Sequence, residues 1–220
     1  MKIKIITTIY WVTALIHIIS GWLNKPDLHD MSKTLLMPLL IYLLFAIANG
    51  VITLPRLLLG VALIFSWGGD ILLITKENET YFLAGLGSFL IAQLLYSYIM
   101  LKSTYQKPKL QLKPIIPVLV YGLILLYFVI PKAETMAAPI VIYSICILAM
   151  VSSSLIRQGL TANDSFLWTA IGAVLFILSD SMIAINKFVV PIPLGETLIM
   201  ATYITAQYLI VRGILKHPGG

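Results

Sequence analysis

The chain has 220 residues, of which 60% are hydrophobic and 11% charged, with a mean hydropathy of +0.97. A water-soluble domain carries roughly a quarter charged residues, so cytosolic modules, secreted enzymes and nucleic-acid binders are poor readings. The excess of 15 Lys+Arg over 9 Asp+Glu speaks to membrane orientation before it speaks to nucleic acid. The lone cysteine, Cys146, lies in an apolar run, without a disulfide partner or companions for a thiolate metal site, and reads as packing.

A helix that crosses about 30 Å of hydrocarbon at 1.5 Å per residue needs roughly 20 mostly apolar residues. Eight segments meet this: Ile3–Leu23, Thr34–Leu54, Leu57–Thr75, Tyr81–Leu101, Pro114–Ile130, Ala137–Ile156, Phe166–Ile185 and Leu194–Leu215. The expectation is an all-α polytopic membrane protein, one transmembrane domain over 1–220, with breakers or charges at each junction. Lys2 and Lys4 before an apolar run resemble a signal-peptide start, but no small-residue cleavage site follows. Ten basic residues fall on the side of the termini (Lys2, Lys4, Arg56, Lys102, Lys107, Lys109, Lys113, Arg157, Arg212, Lys216). Five fall on the other (Lys25, Lys33, Lys76, Lys132, Lys187). The positive-inside rule then puts both termini in the cytoplasm, with a bacterial cytoplasmic membrane as the expected host.

Laying the third span on the seventh with an offset of 110 superposes Asp70 on Asp180, and FLIAQLLY from Phe89 on YITAQYLI from Tyr203 superposes Gln93 on Gln207. This suggests a four-plus-four parallel repeat over 1–110 and 111–220, an arrangement in which sites form where the halves meet.

Polar groups inside hydrocarbon need a reason. Asp70 and Asp180 lie at one depth, about five and six residues from the outer ends of their spans, and suggest a shared site. Each also has a structural reading, as a helix cap or an ion-pair partner. Glu196 enters the eighth span at the same surface, where an acid suits the helix dipole. His17 sits at comparable depth, as a hydrogen-bonded core residue, a proton carrier or a headgroup ligand. Gln93, Gln207, Asn49 and Tyr96, three residues from Gln93, read as helix-bridging groups. Ser152, Ser153 and Ser154 lack a positioned histidine and a Gly-flanked elbow, and His17, His29 and His217 lack zinc-helix spacing. Trp11, Trp22, Trp67, Trp168 and the tyrosines fit interface belts and packing.

ALIFSWGGDILLI from Ala62 and GAVLFILSDSMIAINKF from Gly172 resemble the two signature stretches of the YhhN-like lysoplasmalogenases. Lys33 opening the second span, AGLGSFLIAQLLYSY in the fourth and Gln207 in the last extend the resemblance over essentially the whole chain. One departure is that many relatives carry a histidine where this chain has Gln93. The resemblance implies hydrolysis of the vinyl ether bond of a lysophospholipid within the membrane, releasing a fatty aldehyde and glycerophospho-ethanolamine or glycerophospho-choline, without metal or cofactor. Protonating an alkene carbon demands a carboxylic acid that keeps its proton near neutral pH, which apolar burial favours, with a second carboxylate stabilising the oxocarbenium ion. On that reading Asp180 is the acid and Asp70 the electrostatic partner and base, with the reverse order left open. Glu196 and His17 would assist, Lys33 would bind the phosphate, and Gln93, Tyr96 and Gln207 would complete the substrate site. The rival is a proton-coupled small-molecule transporter using the same two aspartates, with a non-catalytic lipid-binding protein behind it.

Overall fold

The computed structural model describes residues 1–75 and 78–217; Lys76, counted above with the outer charges, lies outside them. The described residues form eight long helices and no strand: α1 (Lys2–Trp22), α2 (Pro26–Ala48), α3 (Leu54–Leu72), α4 (Glu79–Lys102), α5 (Leu112–Val129), α6 (Ala137–Ile156), α7 (Asn163–Ala184) and α8 (Gly195–Leu215). Each is long and apolar enough to span a bilayer, and the protein is an all-α integral membrane protein. A 3-10 turn extends α3 to Thr75, and a π-helical turn over Ile185–Val189 continues α7.

The second helix differs from its expected span of Thr34–Leu54, starting at Pro26 and ending at Ala48. Pro26, which has no N–H to leave unpaired, occupies the first turn, and Asp27 faces the positive end of the helix dipole. The polar run that reads as a loop is therefore helix, and His29, Asp30 and Lys33 become its first turns. Asn49 bridges no helices: it caps α2 in the left-handed conformation, φ 47°, with its N–H on the Phe45 carbonyl.

The most extensive pairings are α7 with α8, α3 with α4 and α1 with α2, and α4 crosses onto α6 to tie the two halves of the chain. α5 lies at the periphery, with Leu119, Leu123 and Tyr127 turned outward to lipid. The pairing of α2 with α3 and α8 is echoed by that of α6 with α7 and α4, but this echo does not confirm the expected four-plus-four repeat.

Small residues let α7 and α8 approach closely, as membrane helices require when lipid offers no hydrophobic drive to pack them. A Cβ on Gly213 would stand 2.6 Å from the Thr169 backbone nitrogen, and one on Gly172 would stand 2.9 Å from the Ala206 carbonyl oxygen. Backbone cannot yield as a flexible side chain does. Gly213→Ala is therefore expected to destabilise the protein by about 1–3 kcal/mol despite the better helix propensity of alanine. Its melting temperature in detergent checks this, an unchanged value contradicting the close contact.

Arg157, counted with the orientation charges, is fully buried. Its guanidinium donates to Thr169 Oγ1 (2.5 Å), Ser165 Oγ (3.0 Å) and the Ser103 carbonyl (3.4 Å), pinning the ends of α4 and α6 to the start of α7. Burial pulls its pKa down to about 10, so it stays charged at neutral pH.

Candidate active site

Asp180 sits one turn from the end of α7, half-buried in the wall of a crevice. Its Oδ2 accepts from Gln93 Nε2 on α4 (3.3 Å) and from the Tyr143 hydroxyl on α6. With both donors on one oxygen, Oδ1 is left for a proton or a ligand.

Asp70 lies near the end of α3 and is 3% exposed. Its Oδ2 accepts from the Tyr203 hydroxyl (2.9 Å), which accepts from Gln207 Nε2 (3.2 Å). Gln207 Oε1 accepts from the Tyr96 hydroxyl (2.7 Å), and Tyr96 meets Ser66 Oγ at 3.5 Å, one turn before Asp70. This chain of bonds from α3 through α8 and α4 back to α3 gives every member a partner in a water-poor interior. Phe89 joins the two sites: it lines the crevice and packs edge-on against Tyr203, with ring centroids 5.8 Å apart. Asp70 and Asp180 lie within coulombic reach of each other, and Lys33 within reach of Asp70.

The crevice, about 710 Å³ counted to its open side, is enclosed by α4 to α7 and is almost wholly apolar apart from Asp180, Tyr143, Ser144 and Ser181. Leu73, Phe82 and Ile183 are shared with a vestibule of about 1040 Å³, where Lys33, Lys187, Asn186 and Glu196 supply the polar lining. The vestibule lies where α1, α3 and α7 end and α2, α4 and α8 begin, the end of the bundle opposite both termini. An apolar pocket with few convergent polar groups is the usual form of a small-molecule site.

Of the residues singled out in the sequence, Asp180 lines the crevice, and Lys33 and Glu196 line the vestibule. His17 is buried beside His29 and lines neither space. Asp70, Gln93, Tyr96 and Gln207 line none of these cavities; the two glutamines and Tyr96 are fully enclosed and bond to the aspartates or their partners. Sequence reasoning missed Tyr143, Tyr203, Asn186 and Lys187. A signal existed for Tyr203, four residues before Gln207 and so on the same helix face. Tyr143, one of several hydroxyls in an otherwise apolar helix, gave none. Among the described residues no group of three or more His, Cys, Asp or Glu could hold a metal ion.

These features define an integral membrane protein of eight helices with two intramembrane carboxylates, one of them on an apolar crevice that opens into a basic vestibule. The chain belongs to the YhhN family, whose sequence model matches residues 28–214. It is similar to Lysoplasmalogenase TMEM86B of Rattus norvegicus, at 34% identity over 158 residues, 72% of this chain and 61% of the relative. It is also similar to Lysoplasmalogenase TMEM86A of Bos taurus, at 29% over 190 residues, 82% and 76% of the two chains. A Lysoplasmalogenase of Mycobacterium tuberculosis is 30% identical over 156 residues, 69% and 58%. The match spans less than two thirds of the rat and mycobacterial relatives' length. No solved structure matches the chain.

Proposed function

We propose that the protein is a lysoplasmalogen hydrolase that opens the vinyl ether bond by carboxylic-acid catalysis. The observation that carries this reading is one carboxyl oxygen of Asp180 with no hydrogen-bond donor among the described residues, on a lipid-compatible crevice that runs into a basic vestibule. Relatives named lysoplasmalogenase support it. The alkenyl chain lies in the crevice and the phosphate near Lys33 and Lys187, so the bond between them passes Asp180. Both termini face the cytoplasm on the basic-residue count, and the site faces the opposite side.

Asp180 Oδ1 gives its proton to the second carbon of the alkenyl chain, and the double-bond electrons form that C–H bond. The first carbon becomes an oxocarbenium ion, stabilised by the Asp180 carboxylate just formed and by the charge of Asp70 behind Phe89. Water from the vestibule adds to the first carbon, and its lost proton restores Asp180. The hemiacetal then breaks its bond to the glycerol oxygen, which leaves as a hydroxyl with the hemiacetal proton, and the chain departs as aldehyde. Gln93 keeps an N–H donor on Asp180, but an amide cannot carry a proton away, so proton return runs through the vestibule water.

Purified protein in detergent should release fatty aldehyde from a 1-alkenyl lysophospholipid and none from its 1-alkyl analogue; release from neither would refute the reading. Tyr143→Phe removes one of the two donors that fix Asp180 and should lower kcat about tenfold with KM nearly unchanged. A change confined to KM would show that Tyr143 serves binding instead.

A further inference from the structure

Beside the vestibule, α1, α2 and the start of α8 line a smaller, partly open cavity, about 350 Å³ counted to its open side, with His17, Gly21, Trp22, His29, Glu196 and Thr197 among its walls. A polar recess with Ser20, Asn24, Asp30 and Lys33 joins it to the vestibule, Glu196 lining all three spaces. His17 is 1% exposed. Its Nδ1 lies 3.0 Å from the His29 carbonyl oxygen and 3.3 Å from Ser32 Oγ, whose own hydroxyl donates to that carbonyl. A carbonyl only accepts, so Nδ1 carries the hydrogen, and Nε2 of the neutral ring is left as a lone-pair acceptor. Nε2 is buried and has no hydrogen-bond partner among the described residues. Leaving such an acceptor unmet is costly, and Glu196 stands within coulombic reach of the same ring. An unmet acceptor beside a carboxylate fits a cation that is also a hydrogen-bond donor.

We infer that this cavity receives the primary ammonium of the lysolipid headgroup and makes the protein selective for ethanolamine over choline headgroups. The inference rests on the lysoplasmalogen reading, with the phosphate at Lys33 and Lys187 placing the headgroup nitrogen toward Glu196 and His17. A primary ammonium offers three N–H donors, one of which satisfies Nε2. A quaternary ammonium has none and is bulkier, so it gains the attraction of Glu196 and leaves His17 unmet.

Binding is measured on the purified protein with 1-alkyl lysophospholipids, which have no vinyl ether to cleave, so the result is separate from catalysis. Ethanolamine, N-methyl, N,N-dimethyl and choline headgroups carry three, two, one and no N–H donors, so the main fall in affinity should come with the last methyl group, about tenfold across the series. His17→Phe should bring the ethanolamine-to-choline ratio close to one, and His17→Gln, which keeps an acceptor, should retain most of it. Glu196→Gln should weaken both ends of the series. Equal binding across the series in the parent protein, or a preference that survives His17→Phe, would overturn the inference. Discrimination without aldehyde release from the alkenyl lipids would uphold this site and refute the hydrolase instead.

Discussion

Asp180→Asn is expected to lower kcat for aldehyde release by about three orders of magnitude, near the middle of the range for losing a general acid. Asparagine matches aspartate in shape, and its amide oxygen still accepts from Gln93 and Tyr143, so the walls of the crevice keep their packing. What is lost is the acidic proton: an amide N–H does not protonate an alkene carbon. Aldehyde release from a saturating alkenyl lysolipid checks this, with the melting temperature in detergent as the control for folding. A variant retaining more than a tenth of the parent rate would remove Asp180 from the chemistry.

The second large effect is expected at Asp70, in kcat without a matching change in KM. The side chain is enclosed by Tyr203 and lines none of the cavities, so it meets no substrate atom. Its charge acts across Phe89 on a cation that forms only as the reaction proceeds, in surroundings of low dielectric. Asp70→Asn should therefore reduce kcat about a hundredfold and leave KM within about twofold, the signature of an interaction made in the transition state. Tyr203→Phe keeps the Asp70 charge and loses only the hydroxyl's bonds to Asp70 and Gln207, so it should cost less. If the Asp70 variant raised KM alone, the carboxylate would belong to binding and the proposed division of labour would fail.

The spans were legible because hydrocarbon demands length and apolarity, which the sequence shows directly. The second span was misplaced because polar residues at a membrane surface look alike in a loop and in an exit turn; only Pro26 and Asp27 mark the helix start. The places of Asp70 and Asp180 near the ends of their helices were readable, but their unequal settings were not. Which carboxylate meets a cavity depends on how α3 and α7 are rotated against α4, α6 and α8. Tyr143 and Tyr203 come from α6 and α8, so their bonds to Asp180 and Asp70 reflect packing between helices and no local motif. Gln93 and Gln207 are legible in the sequence as bridging amides, but not that each bridges to the network of an aspartate. The significance of His17 rests on the carbonyl of His29, a backbone atom for which no residue code could speak.

The most direct test of vinyl ether hydrolysis by carbon protonation is mass spectrometry of the fatty aldehyde formed from a 1-alkenyl lysophospholipid by the protein in D₂O. One deuterium at the carbon next to the aldehyde group, with a slower turnover than in H₂O, is the expected result. Absence of aldehyde, or aldehyde without solvent deuterium at that carbon, would contradict the mechanism.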